Sequence, residues 1–171
     1  MVRFCRPIPH LRLTCALGVL AASSAPALAG GADVIGVTFE RNGDSMAFEV
    51  TIRHADEGWD HYADRFEIVG LDGTVYSIRK LTHPHVEEQP FTRTIGGVRL
   101  PTSIGGEVIV RARDSVHGFS GQEFVVKTKK AYACGVPVDS GIKPPTPEPV
   151  SGRAQCPLYP PGQPTGVEGP E

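Results

Sequence analysis

The chain has 171 residues, 40% hydrophobic and 21% charged, with a formal net charge of −2. That length suits one domain with a real core. The basic residues are dispersed, and Lys127, Lys129 and Lys130 are too few to form a tract, which argues against nucleic acid or anionic membrane surfaces as partners.

Residues 1–29 read as a secretory signal. Arg3, Arg6 and Arg12 supply a positive start, and Leu13 to Ala22 an apolar stretch too short to span a bilayer as a helix. Ala27-Leu28-Ala29 is a small-x-small cleavage site, so the mature chain is expected to begin near Gly30, in the periplasm or outside the cell. Cys15 raises a lipoprotein alternative, but Arg12-Leu13-Thr14 is a poor lipidation box and the apolar run continues beyond the cysteine. No later segment is apolar enough to be a transmembrane helix. Of the 17 Lys and Arg, three lie in the leader, so 14 remain against 19 Asp and Glu, a formal charge of −5.

Residues 30–131 read as one β domain, because apolar and polar residues alternate. Ile35, Val37 and Phe39 mark a first strand, and Met46, Phe48, Val50 and Ile52 a second. Phe66 and Ile68 mark a third, and Val75 to Leu81 a fourth. Phe91, Arg93 and Ile95 mark a fifth, Val108, Val110 and Ala112 a sixth, and Phe124 to Lys127 a seventh. Asn42-Gly43-Asp44 and Asp72-Gly73 are hairpin signals, and Pro101 with Gly105-Gly106 breaks the chain before the sixth strand. The expected fold is a seven-stranded antiparallel sandwich, immunoglobulin-like or fibronectin type III-like. The single Trp59 precedes the third strand and no cysteine lies within the strands, which favours the fibronectin type.

Residues 132–171 read as a Pro/Gly-rich tail without a core of its own, since apolar residues are sparse. Without the leader two cysteines remain, Cys134 and Cys156. An even count in an oxidising compartment predicts one disulfide. It closes a loop of about 20 residues, worth roughly 3 kcal/mol in the chain-entropy model.

Every histidine after the leader falls in three of the gaps between strands, His54 to His61, Thr82 to Pro90 and Asp114 to Gly121. In an up-and-down order these second, fourth and sixth loops share one end of the sandwich. His54, His61, His83, His85 and His117 are therefore expected to meet, with three or four of them as first-shell ligands. The same loops hold Asp56, Glu57, Asp60, Glu87, Glu88 and Asp114, carboxylates expected as ligands or second-shell acceptors, with Asp56, Asp60, Glu87 and Asp114 placed in the second shell or rim, and Trp59 is expected as an aromatic plug. Imidazoles among carboxylates suit a borderline divalent ion, Zn²⁺ or Cu²⁺. Met46, the one methionine of the mature chain, is assigned to the core, which disfavours a thioether site for Cu⁺. A calcium site lacks its acidic ladder.

Glu57-Gly58-Trp59-Asp60-His61-Tyr62-Ala63-Asp64, His83-Pro84-His85-Val86-Glu87-Glu88-Gln89-Pro90-Phe91-Thr92-Arg93 and Arg111-Ala112-Arg113-Asp114-Ser115-Val116-His117-Gly118 together resemble a family of small secreted proteobacterial proteins. The resemblance spans roughly residues 33–129 and implies a bacterial periplasmic setting. It carries no activity and no functional residues.

Two readings compete with a metal site. A non-catalytic interaction module would use the same rim, with Trp59, Tyr62 and Phe119 as contacts to a periplasmic protein partner. A purely structural domain would use its histidines to satisfy loop backbone. A Ser115–His117–Asp56 triad lacks a nucleophile elbow and an oxyanion loop, so no catalytic residue is assigned.

Overall fold

The computed structural model describes residues 30–102, 105–145, 148–150 and 153–160. The expected leader with Cys5, His10 and Cys15, the cleavage site at Ala29, and residues 161–171 lie outside them.

The described chain is all β, with a strand for each of the seven predicted: β1 (Asp33–Asn42), β2 (Ser45–Arg53), β3 (Ala63–Val69), β4 (Val75–Lys80), β5 (Phe91–Val98), β6 (Glu107–Asp114) and β7 (Phe124–Lys127). Alternation decides which face of each strand turns inward. On β2, Met46, Phe48, Val50 and Ile52 are buried, while Glu49 and Arg53 are exposed. On β6, Val108, Val110 and Ala112 are buried and their neighbours only half-buried. The two inward rows face each other in a sandwich-like arrangement around one core, in which Phe39, Phe48, Phe66, Phe91 and Phe124 are fully buried. Each such ring contributes about 1.5–3 kcal/mol of burial.

The two antiparallel sheets hold nine strands rather than seven. One has the order β5-β2-β1-β8 and the other β4-β3-β6-β7-β9. The additional strands, β8 (Tyr132–Cys134) and β9 (Val136–Pro137), come from the stretch read as a tail. They are too short to show a period, and they form because β1 and β7 offer unpaired edges. Gly135 carries the chain between the sheets. A Cβ there would meet Val37, Val126 and Phe124 at 3.0–3.2 Å. β10 (Glu148–Val150) and β11 (Arg153–Gln155) make a separate antiparallel hairpin. The Cys134–Cys156 disulfide is present and ties the end of this segment to β8. Beyond it the Tyr159 amide donates to the Ile35 carbonyl at 2.7 Å, and its ring meets Phe124 edge-on at 5.6 Å.

The strand order is not up-and-down. β1–β2, β3–β4 and β6–β7 are hairpin pairs, whereas β2 to β3, β4 to β5 and β5 to β6 cross between sheets. From β1 to β7 the chain nevertheless reverses at each connection, so the loops after β2, β4 and β6 still share one end. The convergence argument survives because it needs alternating direction, not neighbouring pairs.

Candidate metal centre

The inward row of β2 does not stop at Ile52. One more step of two residues reaches His54, which is buried. The inward row of β6 likewise continues from Ala112 to Asp114, whose side chain is fully buried. Two facing sheets thus end their apolar rows in an imidazole and a carboxylate. Asp114 pairs in register with Ala63 of β3, just after His61.

The loops are braced locally. Glu57 and His61 close a turn through Glu57 N to His61 O at 2.8 Å, with Gly58 at φ 107° between them, a conformation that favours glycine. After β6, Asp114 Oδ1 accepts the amides of Val116 at 2.8 Å and His117 at 2.6 Å, an Asx-type turn closed by Gly118 at φ 74°. Gln89 links two loops: its Oε1 accepts the His54 amide and its Nε2 donates to the His85 carbonyl, both at 3.1 Å.

Asp56 is the buried hub beneath the site. Its Oδ1 lies 2.6 Å from His54 Nδ1 and accepts the Ala63 amide at 3.0 Å, and its Oδ2 accepts the His85 amide at 2.6 Å. With the carboxylate on Nδ1, the Nε2 of His54 carries the free lone pair. His61 is held the same way, its Nδ1 3.3 Å from Glu57 Oε2. His54 Nε2, His61 Nε2 and Asp114 Oδ2 are all buried without a hydrogen-bond partner. Buried polar atoms of this kind are rare and call for an explanation.

Ligand atoms of these three residues lie within 4.8 Å of one another, so the group could hold a metal ion. His61 Nε2 and Asp114 Oδ1 are 3.5 Å apart. Bonds near 2 Å in a tetrahedral shell need ligand atoms about 3.4 Å apart, so closure requires roughly an ångström of inward movement. Burial pushes the Asp114 carboxyl upward, but the amides of His117 and Val116, with His54 and His117 nearby, outweigh it and hold the group below its ordinary value. An ionised carboxylate at the site's floor is what a cation requires.

The expected five-histidine cluster divides. His54, His61 and His117 gather around Asp114, with ring centroids 4.7 Å apart for His54–His61 and 4.9 Å for His61–His117. His83 and His85 are not part of the converging group. They belong to a ladder in which His85 stacks on Phe91 at 3.9 Å and His83 lies 4.5 Å from His85, with Arg93 over the Phe91 ring. Burial holds the His85 imidazole below its ordinary value, with Arg93 and His83 adding repulsion. The proline between them spaces two rings that share a face, and stacking on Phe91 takes up that face.

The other assigned residues also separate. Asp56 lies behind the His54 ring, whereas Asp114, expected in the second shell or rim, is one of the converging three. Trp59 does not plug the sandwich: it is 68% exposed and meets only the edge of Tyr62, at 5.9 Å. Asp60 is exposed, and its carbonyl accepts the Ser115 hydroxyl. Glu87 is exposed and Met46 is in the core. Phe119 is not on the rim; Arg65 and Arg111, both paired with the buried Glu67, cover its ring. The Ser115 oxygen also accepts the Tyr62 amide, so it serves the loop and not His117. Glu57, four residues before His61, is the loop carboxylate that faces its Nδ1.

No protein-family model matches the chain, and no solved structure matches it. A protein of Halomicrobium mukohataei named "Putative lipoprotein" is 37% identical over 99 residues, which cover 57% of this chain and 48% of that protein. The chain therefore spans about half the length of this curated relative.

Proposed function

We propose that this is an extracytoplasmic β-sandwich protein that binds one divalent transition ion, Zn²⁺ or Cu²⁺, through His54, His61 and Asp114. The observation that carries the reading is the convergence of His54, His61 and Asp114, which each offer a ligand atom within 4.8 Å of the others and each also carry a buried nitrogen or oxygen without a hydrogen-bond partner. In both imidazoles the Nδ1 faces a carboxylate, the arrangement that orients metal-bound histidines. Two nitrogens and one oxygen suit a borderline ion.

The location rests on the leader expected from residues 1–29, the disulfide and the likeness to a protein named as a lipoprotein. Among the described residues no helix is long and apolar enough to cross a membrane. For the fold type we favour the fibronectin-like reading. β1, β2 and β5 share one sheet and β3, β6 and β7 the other, while β4 lies beside β3 and not beside β5, unlike the fourth strand of an immunoglobulin constant domain.

The test is calorimetric titration of the untagged protein with Zn²⁺ and with Cu²⁺, beside His61→Ala. One-to-one binding that the variant loses supports the reading; equal heats from both proteins sink it. The exposed Trp59, with Val116 at 59% and Val86 at 50% exposure on neighbouring loops, favours a second reading, a docking rim for a periplasmic protein.

A further inference from the structure

Resting on the metal reading, we propose that His117 is the fourth ligand of this centre, an exchangeable one through which the ion enters and leaves. The three converging side chains are largely buried, with exposures of 1% for His54, 12% for His61 and 0% for Asp114. His117, 37% exposed, is the most solvent-facing histidine of this group. Its Nδ1 lies 3.2 Å from Asp114 Oδ1, and its ring stands edge-on to His61. Its backbone is fixed by the Asp114 turn while its ring is bounded by solvent on one side. A ring nitrogen of His117 thus already faces the Asp114 carboxylate from the solvent side.

Three ligands and one more donor complete the tetrahedral shell that zinc prefers. The placement of the fourth has a chemical consequence. A fully buried set releases its ion only when the loops open, whereas a centre with one solvent-facing imidazole exchanges by displacement of that ligand. An incoming imidazole, thiolate or carboxylate takes the place of His117, and the ion remains coordinated throughout. The site is then built for transfer and not for permanent structural retention.

Co²⁺ titration of the untagged protein and of His117→Ala, followed by visible absorption, tests this. Four-coordinate Co²⁺ absorbs strongly and five- or six-coordinate Co²⁺ weakly. The expected result is one-to-one binding by both, with affinity about tenfold or more weaker in the variant, a loss at least as large as that from removing a supporting residue. The variant's absorption should shift as water replaces the imidazole, and fall where a second water raises the coordination number; added imidazole should restore the original spectrum. An unchanged affinity and spectrum in His117→Ala overturns the role of His117 and leaves the three-residue site standing. Absence of Co²⁺ binding by the unaltered protein overturns the metal reading and this proposal with it.

Discussion

The Nδ1 of His54 lies 2.6 Å from Asp56 Oδ1, and the second oxygen of the same carboxylate takes the amide of His85. One buried acid thus sets the ring that faces the candidate centre and anchors the loop that carries the His83–His85 pair. Asp56→Ala should lower apo stability by about 2–3 kcal/mol, because buried donors lose a charged acceptor. It should also weaken Zn²⁺ binding by about 10–100-fold through loss of His54 orientation. Urea denaturation and calorimetry measure the two effects, and intact affinity in a folded variant would contradict the support role.

Asp114→Asn separates charge from turn geometry. The amide oxygen still accepts from Val116 and His117, so apo stability should change by less than about 1 kcal/mol, as for a substitution that keeps its hydrogen bonds. Zn²⁺ at a hundred times the dissociation constant should stabilise the original protein by about 2.7 kcal/mol. That increment should vanish in Asp114→Asn, as read by the thermal midpoint with and without zinc.

His83→Ala should leave Zn²⁺ affinity unchanged, since His83 is exposed, lies tilted 4.5 Å from the His85 ring and is not among the converging ligands. His61→Ala should remove binding. Calorimetry on both variants distinguishes a site built on all five histidines from the one described, because the former predicts a loss in each.

His85 makes stability depend on pH. Its folded pKa lies below the ordinary 6.5, chiefly through burial, so the unfolded chain takes up this proton first. Stability from the neutral ring is complete above the unfolded value and is lost as pH falls below it toward the folded one. Urea midpoints of the metal-free protein should decline as pH falls below about 6.5, and part of that decline should disappear in His85→Asn.

Cys134→Ser/Cys156→Ser should cost roughly 3 kcal/mol, the chain-entropy value for a loop of this length. The disulfide spans 22 residues and holds the segment whose Tyr159 packs on Phe124. Chemical denaturation of the double variant checks the magnitude.

The sequence by itself determined β1 to β7, their inward faces and the end at which the histidine loops gather. Those features follow from local periodicity and from a chain that reverses at each connection from β1 to β7. Its alternation even runs through Met46 to His54 and through Val108 to Asp114. Only the tertiary structure decided which histidines meet. His83 and His85 share the loop end with His61, yet Phe91 and Asp56 draw His85 into a stacked ladder, while facing sheets bring His54 and Asp114 together from rows about sixty residues apart in sequence. The edge strands β8 and β9 were equally hidden, because pairing with β1 and β7 makes strands of segments too short to show a period. Periodicity is a property of one segment, whereas a ligand set depends on distances between segments, and those are fixed by packing.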